Sequence, residues 1–385
     1  MMRLSVLALV ALATSCYEAD SVAPASSASG APSAPPLYAS AEASAQAATP
    51  PPPPAAPPPP PAAPVRVTAE DKAMGTHLAF AAYTTPTLDE AAVQKAFAAS
   101  VAEIRRLEAL MTTWRPDSEL SKVNAAAGKS PVEVDPETFD VVKEAVHASK
   151  ISEGTFDITF ESLHGLWKFD QDLDPHPPTD AQIKAKLPFV GYRHIHLDEA
   201  KHAVFLDNAG TKISLGGIAK GYAVDRAAKV LRDAGLTSFY VQAGGDLYAA
   251  GKKPDGTDWS AGIRDPRGPD GTYFAVLPLS DHAFSTAGDY ERSYVIDGKR
   301  YHHIIDPRTG KPATASRSVT IYAPTAFLAD EIDDAVFILG PEKGMKLVES
   351  LEDVGAVIVD AKNNVHISKR LEGKLRITAA PTDAP

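Results

Sequence analysis

TKISLGGIAKGYAVDRAAKVL, Thr211–Leu231, is the stretch on which the reading of this chain turns, because it joins strand-like to helical patterning through closely spaced glycines. Lys212–Leu215 reads as a short strand, and from Tyr222 onward Ala223, Ala227, Val230 and Leu231 recur at helical spacing. Gly216, Gly217 and Gly221 then fall near a helix N-terminus, where backbone N–H groups lack intrahelical partners and the dipole favours anions. Lys220 adds a positive charge at the same place, which suits a phosphate, a polyphosphate or a dinucleotide. The spacing matches neither the Walker pattern nor the dinucleotide fingerprint, so a plain tight turn is the other reading of the same residues.

Working outward, the 385 residues carry a net charge of −11 with a pI near 5.5, which argues against a nucleic-acid partner, since phosphate-backbone binding needs a basic surface. Cys16 is the single cysteine, so an intrachain disulfide, a cysteine metal site and a cysteine nucleophile in the folded part are excluded. Residues 1–15 read as an export segment, with Arg3 ahead of the apolar run Leu4–Ala13, which is too short to span a membrane. Ending in Ala13-Thr14-Ser15-Cys16, it resembles a bacterial lipoprotein signal, with its leucine at Leu12; a lipid on Cys16 would tether the protein to a membrane. Residues 16–64 are an Ala/Ser/Pro linker with too little apolar surface to order itself, and Pro50–Pro54 and Pro57–Pro61 favour a polyproline II spacer of roughly 45 Å.

The folded part is expected from residue 65 to 376, with a disordered tail over 377–385. Val65–Tyr83 suggests one or two strands around Met74-Gly75-Thr76, and Phe97, Val101, Ile104, Leu107 and Met111 form one apolar helical stripe. A polar loop with Trp114 beside Arg115 follows; that tryptophan can stack on a planar ring or cap a core edge. Asp135 and Pro136 signal the start of a second helix, with Phe139, Val142 and Val146 inward. Asp157 lies between apolar neighbours and needs hydrogen-bond partners if buried. Asp172–Pro188 reads as a loop-rich insertion; HIHLD, AVFLD and TKISL read as an antiparallel meander with His194 and His196 outward. Ser238–Gln242 is a strand, WSAGIRDP continues its sheet, Phe284–Tyr290 is a polar turn, and SVTIYAP is a strand before a helix from Thr325. On that helix Asp330 and Asp334 are four apart on one face, either a hard-cation site or a solvated acidic surface. His303-Ile304-Ile305-Asp306-Pro307 packs an imidazole and an acid into one turn, a composition suited to proton transfer.

Taken together, these segments resemble the ApbE family of flavin transferases from about Val65 to His366. The resemblance is carried by Met74-Gly75-Thr76, Met111–Ser121, Phe156-Asp157, Ile213–Asp225, Gly244-Gly245-Asp246, Gly262–Pro266, His303–Gly310 and Ala329-Asp330, in that order. It implies one α+β domain of antiparallel sheets with packed helices, and an extracytoplasmic, periplasm-facing enzyme that moves FMN from FAD onto a threonine hydroxyl of an acceptor flavoprotein, releasing AMP, with magnesium as cofactor. It further implies FAD contacts from Met74, Met111, Thr112, Thr113, Trp114, Asp157, Lys220, Asp225, Ile304, Ile305 and Asp306, and metal ligation by Gly217, Asp330 and Asp334. Asp334 stands where a threonine is frequent in that pattern. His303 is the candidate proton acceptor. Two other readings use the same pocket: a periplasmic FAD-storage lipoprotein, and a pyrophosphatase that splits FAD into FMN and AMP with water as acceptor.

Overall fold

Strand patterning returns immediately on itself at Met74-Gly75, where both residues take positive φ (52° and 71°) and close a hairpin between β1 (Arg66–Ala73) and β2 (Thr76–Tyr83). A computed structural model describes residues 63–169 and 173–384; the export segment, Cys16 and nearly all of the proline-rich linker lie outside the described residues. Asp89 caps α1 (Glu90–Met111), whose five stripe residues are all buried. A short α2 (Glu119–Ala125) and β3 (Val132–Glu133) lead to α3 (Pro136–Ile151), capped by Asp135 as its sequence signals.

After a 3-10 turn at Ile158–Leu163 come α4 (Asp180–Lys186), β4 (Ile195–Asp198) and β5 (Ala203–Leu206), and then α5 (Ala219–Asp233). Strands β6 (Phe239–Ala243), β7 (Asp246–Ala250), β8 (Trp259–Arg264), β9 (Tyr273–Leu279) and β10 (His282–Gly288) follow. Two hairpins, β11 (Ser293–Ile296) with β12 (Lys299–His302) and β13 (Ile305–Asp306) with β14 (Lys311–Pro312), precede β15 (Ser316–Ala323). Helix α6 (Ala326–Ser350), kinked at Gly340-Pro341, is followed by β16 (Gly355–Asp360), β17 (Val365–Ile367) and β18 (Arg376–Ile377).

The principal sheet has the order β1-β2-β6-β7-β10-β15-β16-β17, with every neighbouring pair antiparallel. Alternation along its strands explains the layers. Phe80, Val241 and Tyr248 face α1 and α5, and Val319, Ile321 and Ile358 face α6. Their neighbours Ala81, Leu247, Tyr322 and Val357 face the opposite way, onto Trp259, Ile263, Phe274 and Leu277 of a second sheet, β18-β9-β8. Strand β16 is therefore buried on both faces, which is why GAVIVD reads as a nearly continuous apolar run. Among the described residues, no helix is long and apolar enough to cross a membrane.

Several local expectations are corrected. Lys212–Leu215 is not a strand, because side chains from elsewhere take its backbone: Asn124 bonds both the N–H and the carbonyl of Ile213, at 2.8 and 2.9 Å. Ser162 Oγ accepts Lys212 N–H, and Ser214 N–H donates to the Ile158 carbonyl. The three-stranded meander is β3-β5-β4 instead, and β8 belongs to the second sheet. Phe284–Gly288 belongs to β10, paired with β15 throughout and with β7 at Phe284; its Ser285 side chain points toward the site described below. The insertion contains α4, opened by a Thr179–Gln182 capping box. The tail from 377 is pinned down: β18 pairs with β9, and Thr382 donates through its N–H and hydroxyl to Asp265.

Candidate active site

Gly216-Gly217 turn into α5, so Lys220 and Gly221 lie in its first turn. Gly221 is where α5 crosses α6: a Cβ there would sit 2.2 Å from the Ala326 carbonyl oxygen and 2.7 Å from Asp330 Cβ. That close approach sets Asp330 on the helix start, with Oδ2 accepting the Gly221 N–H at 2.8 Å and Oδ1 2.9 Å from Lys220 Nζ. The anion held at this N-terminus is thus a carboxylate of the chain itself. Gly221→Val is expected to lower stability by about 1–3 kcal/mol or more by overpacking, seen as a lower denaturation midpoint.

Lys220 Nζ also lies 2.9 Å from Asp246 Oδ2, at the start of β7. Burial alone would push this ammonium down, but Asp246 and Asp330 outweigh it and hold its pKa well above the ordinary lysine value. Oxygens of Asp246, Asp330 and Asp333 fall within 4.8 Å of one another, and all three side chains are buried. Ser285 Oγ of β10 lies 2.5 Å from Asp246 Oδ1 and 2.6 Å from Asp333 Oδ2. One hydroxyl has one hydrogen, so one of these acids carries a second proton. Burial, with repulsion from Asp334 and Asp330, raises Asp333 well above the usual carboxylate range.

Asp334 turns toward the glycine turn, with Oδ2 3.3 Å from where a Gly217 Cβ would stand; Phe156 flanks the same point at 3.5 Å. Burial raises Asp334 to about 6 against the pull of Lys220 and Arg292. Burial and Asp246 together raise Asp330 to about 7 despite Lys220. Four inward carboxylates around one ammonium make an oxygen-only donor set with excess negative charge, and such a set fits a hard divalent cation.

His303 follows β12, and its N–H extends the hairpin ladder to the Arg292 carbonyl at 3.1 Å. Its Nδ1 is buried and has no hydrogen-bond partner among the described residues. Burial first, and then the Arg292 and His302 charges, hold this imidazole well below the ordinary histidine pKa, with Lys220 adding to the effect. It is therefore neutral at pH 7 with a nitrogen available as acceptor.

The remaining candidates lie around this centre or in its supports. Met74 is a bulky residue held at φ 52°, a conformation that costs strain, and its turn adjoins Gly244, where a Cβ would meet Thr76 Oγ1 at 2.5 Å. Met111 is buried in the core, whereas Trp114 is 82% exposed in the loop after α1. Thr112 organises that loop, its hydroxyl accepting the Trp114 N–H and its carbonyl the Ser118 hydroxyl, while the Thr113 carbonyl accepts from Ser121. Asp157 is buried and accepts from the Thr159 N–H and hydroxyl and the Tyr192 N–H, so its oxygens order the local turn. Both oxygens of Asp225 accept the first N–H groups of α6, Ala326 and Phe327, at 2.9 Å. Ile304 is buried, Ile305 pairs with Pro312, and Asp306 is clasped by the Arg308 guanidinium and N–H.

The structure thus brings Gly217, Lys220, Asp330 and Asp334 together with His303 nearby, while Asp157 and Asp225 have their oxygens engaged by backbone. Asp246, Asp333 and Ser285 are members of the centre that the sequence reading passed over. Asp246 closes the Gly-Gly-Asp turn and carried a usable signal; Asp333 has none beyond its position beside Asp334. A cavity of about 460 Å³ between α3 and β4, lined by residues such as Lys143, His147 and His196, contains no part of this centre.

Residues 74–358 match the ApbE family. The chain is similar to an FAD:protein FMN transferase of Klebsiella pneumoniae (strain 342), 33% identical over 283 residues covering 72% of this chain and 80% of the relative. A second FAD:protein FMN transferase, of Treponema pallidum (strain Nichols), is 34% identical over 291 residues, with the same coverage of 72% and 80%. Among solved structures, the ApbE protein of Thermotoga maritima superposes with a TM-score of 0.73 at 31% identity, covering 81% of this chain and 100% of that one. The flavin transferase ApbE from Vibrio cholerae does so with a TM-score of 0.70 at 27% identity, again covering 81% and 100%.

Proposed function

Because this chain belongs to the ApbE family, we propose that it is an FAD:protein FMN transferase that esterifies a threonine hydroxyl of an acceptor flavoprotein with FMN and releases AMP. The observation that carries this reading is the pairing of Lys220 and the buried Asp330 with a neutral, unpartnered His303 Nδ1. In the step proposed, the threonine oxygen attacks the FMN-side phosphorus of FAD, its proton passes to His303, and the bridging P–O bond breaks with its electron pair leaving on AMP. Asp330 and Asp334 with the Gly217 carbonyl are the proposed metal ligands, and Asp246 and Asp333 complete the carboxylate set. A bound magnesium ion supplies charge neutralisation at the pyrophosphate.

The chain's own residues do the rest. Lys220 carries its charge at the α5 start where the pyrophosphate is proposed to lie, and Asp225, by capping α6, keeps Asp330 and Asp334 in register with that start. Met74, Met111–Trp114, Asp157 and Ile304–Asp306 are the proposed FAD frame; exposed Trp114 offers a stacking face, whereas Asp157 and Asp306 act by ordering the turns around it.

Incubating the domain from Val65 with FAD, magnesium and a threonine-bearing acceptor domain, scored by intact mass, tests the proposal. An acceptor heavier by one FMN phosphoester, with AMP released, is the expected result. Free FMN and AMP beside an unmodified acceptor would replace it with the pyrophosphatase reading, and intact bound FAD with the storage reading. Lipid anchoring through Cys16 and a periplasm-facing location are proposed from the signal-like N-terminus. Cys16→Ser is expected to abolish fatty-acid labelling and move the protein from the membrane to the soluble fraction on cell fractionation.

A further inference from the structure

The hairpin β11–β12 forms no ladder with any other strand among the described residues, yet its base carries His303. A two-stranded ribbon is marginally stable by itself. What holds this one is a closed ring of four half-buried aromatic side chains. Tyr294 and Tyr301 are directly opposed across the hairpin, with centroids 5.5 Å apart and planes 24° apart. Tyr301 stacks on Trp167 at 5.9 Å, Trp167 on Phe169 at 6.1 Å, and Phe169 on Tyr294 at 5.3 Å, closing the circuit. Lys299 Nζ covers Tyr301 at 4.8 Å from the ring centre.

Trp167 and Phe169 come from the chain just after the 3-10 turn that Asp157 caps, so the ring ties two separate segments of the candidate site. Trp167 is itself fixed to the turn beyond His303, its indole N–H donating to the Gly310 carbonyl at 2.9 Å. Strand alternation puts Tyr301 and His303 on one face of the ribbon and His302 on the other. His302 anchors that other face, with Nε2 2.8 Å from the Ala313 carbonyl and its ring edge-on to Phe337. The ribbon is thus gripped on both sides immediately before the imidazole.

We propose that Trp167 and Phe169 are positioning residues that, through the Tyr294–Tyr301 pair, hold the His303 imidazole in its reactive place; this rests on the reading of His303 as proton acceptor. Neither residue touches the reacting atoms in this account. Because a displaced base loses rate and leaves substrate binding intact, the effect belongs in kcat.

The test compares Trp167→Leu and Phe169→Leu with the ring-retaining Trp167→Phe and Tyr294→Phe, using the whole domain. For the leucine variants, kcat for FMN transfer is expected to fall by about 10²-fold with the KM for FAD within about twofold. Amide exchange over residues 293–303 is expected to rise while β15 stays as protected as in the wild type, and His303 is expected to react faster with diethyl pyrocarbonate. The ring-retaining variants should restore most of the rate. Wild-type exchange over 293–303, or a fall in β15 protection that accompanies the rate loss, would overturn the proposal. A wild-type chain that transfers no FMN would fail the transferase reading instead, and the exchange and His303 reactivity would still decide whether the aromatic ring positions the imidazole.

Discussion

Asp330→Asn is expected to reduce FMN transfer by about 10²–10³-fold and to weaken divalent-cation binding, with little change in fold. Asparagine keeps an oxygen for the Gly221 N–H, so the α5–α6 crossing survives; what it removes is the charge opposed to Lys220 Nζ at 2.9 Å. Cation titration followed by calorimetry checks the binding, and intact-mass assay of the acceptor checks the transfer. Unchanged affinity for magnesium in Asp330→Asn would remove this carboxylate from the metal site. The wild type carries a pH signature of the same origin. The folded-state pKa values of Asp330 and Asp334, about 7 and about 6, lie above the ordinary 3.8 because burial disfavours their charge. Groups raised in this way contribute stability that is present below the unfolded pKa and lost as pH rises through the folded one. The metal-free protein is therefore expected to lose thermal stability between about pH 4 and pH 7, and magnesium should restore it most strongly at the alkaline end, where protons no longer compete for the oxygens.

His303→Ala is expected to lower kcat by about 10²–10⁴-fold while the affinity for FAD stays within about twofold. The His303 imidazole, whose Nδ1 is buried, loses its proton well below the usual pH, so its own titration leaves the rate flat through neutrality. An acid limb near pH 6–7 would instead come from Asp330 and Asp334, and adding magnesium should move it to lower pH. That shift assigns the limb to the carboxylates, because the titration of His303 lies well below neutrality and adds no limb in this range. Transfer at the wild-type rate by His303→Ala, with FAD bound, would show that the proton goes elsewhere.

What sequence alone could supply was local. The stripe from Phe97 to Met111 and the Asp135 cap can be read without a structure, because the signals lie within a turn or two of the residues they govern. The family resemblance belongs to the same level, being a matter of residues in order. Asp330 and Asp334 were legible as one helix face, and the Gly217 turn as a helix start.

Where the reading failed, a distant partner decided the outcome. TKISL has strand-like patterning, but Asn124 and Ser162, 89 and 50 residues away, hold its backbone and leave no ladder to form. The tail over 377–385, expected to be disordered, is held because Asp265 supplies an acceptor for Thr382, 117 residues apart in sequence. Asp333 and Asp246 join the centre only because β7, β10 and α6 converge on Ser285, and no periodicity distinguishes an acid aimed inward from one in solvent. Sequence determined the helices with a strong apolar stripe or cap, the helix start after the Gly216-Gly217 turn, and the family to which the chain belongs. Tertiary structure decided that Gly221 is a helix crossing, that Lys220 answers two buried carboxylates, and that His303 is neutral with an unpartnered Nδ1. The physical reason is that charge, burial and hydrogen-bond satisfaction are properties of neighbours in space, set only when remote segments close around one another.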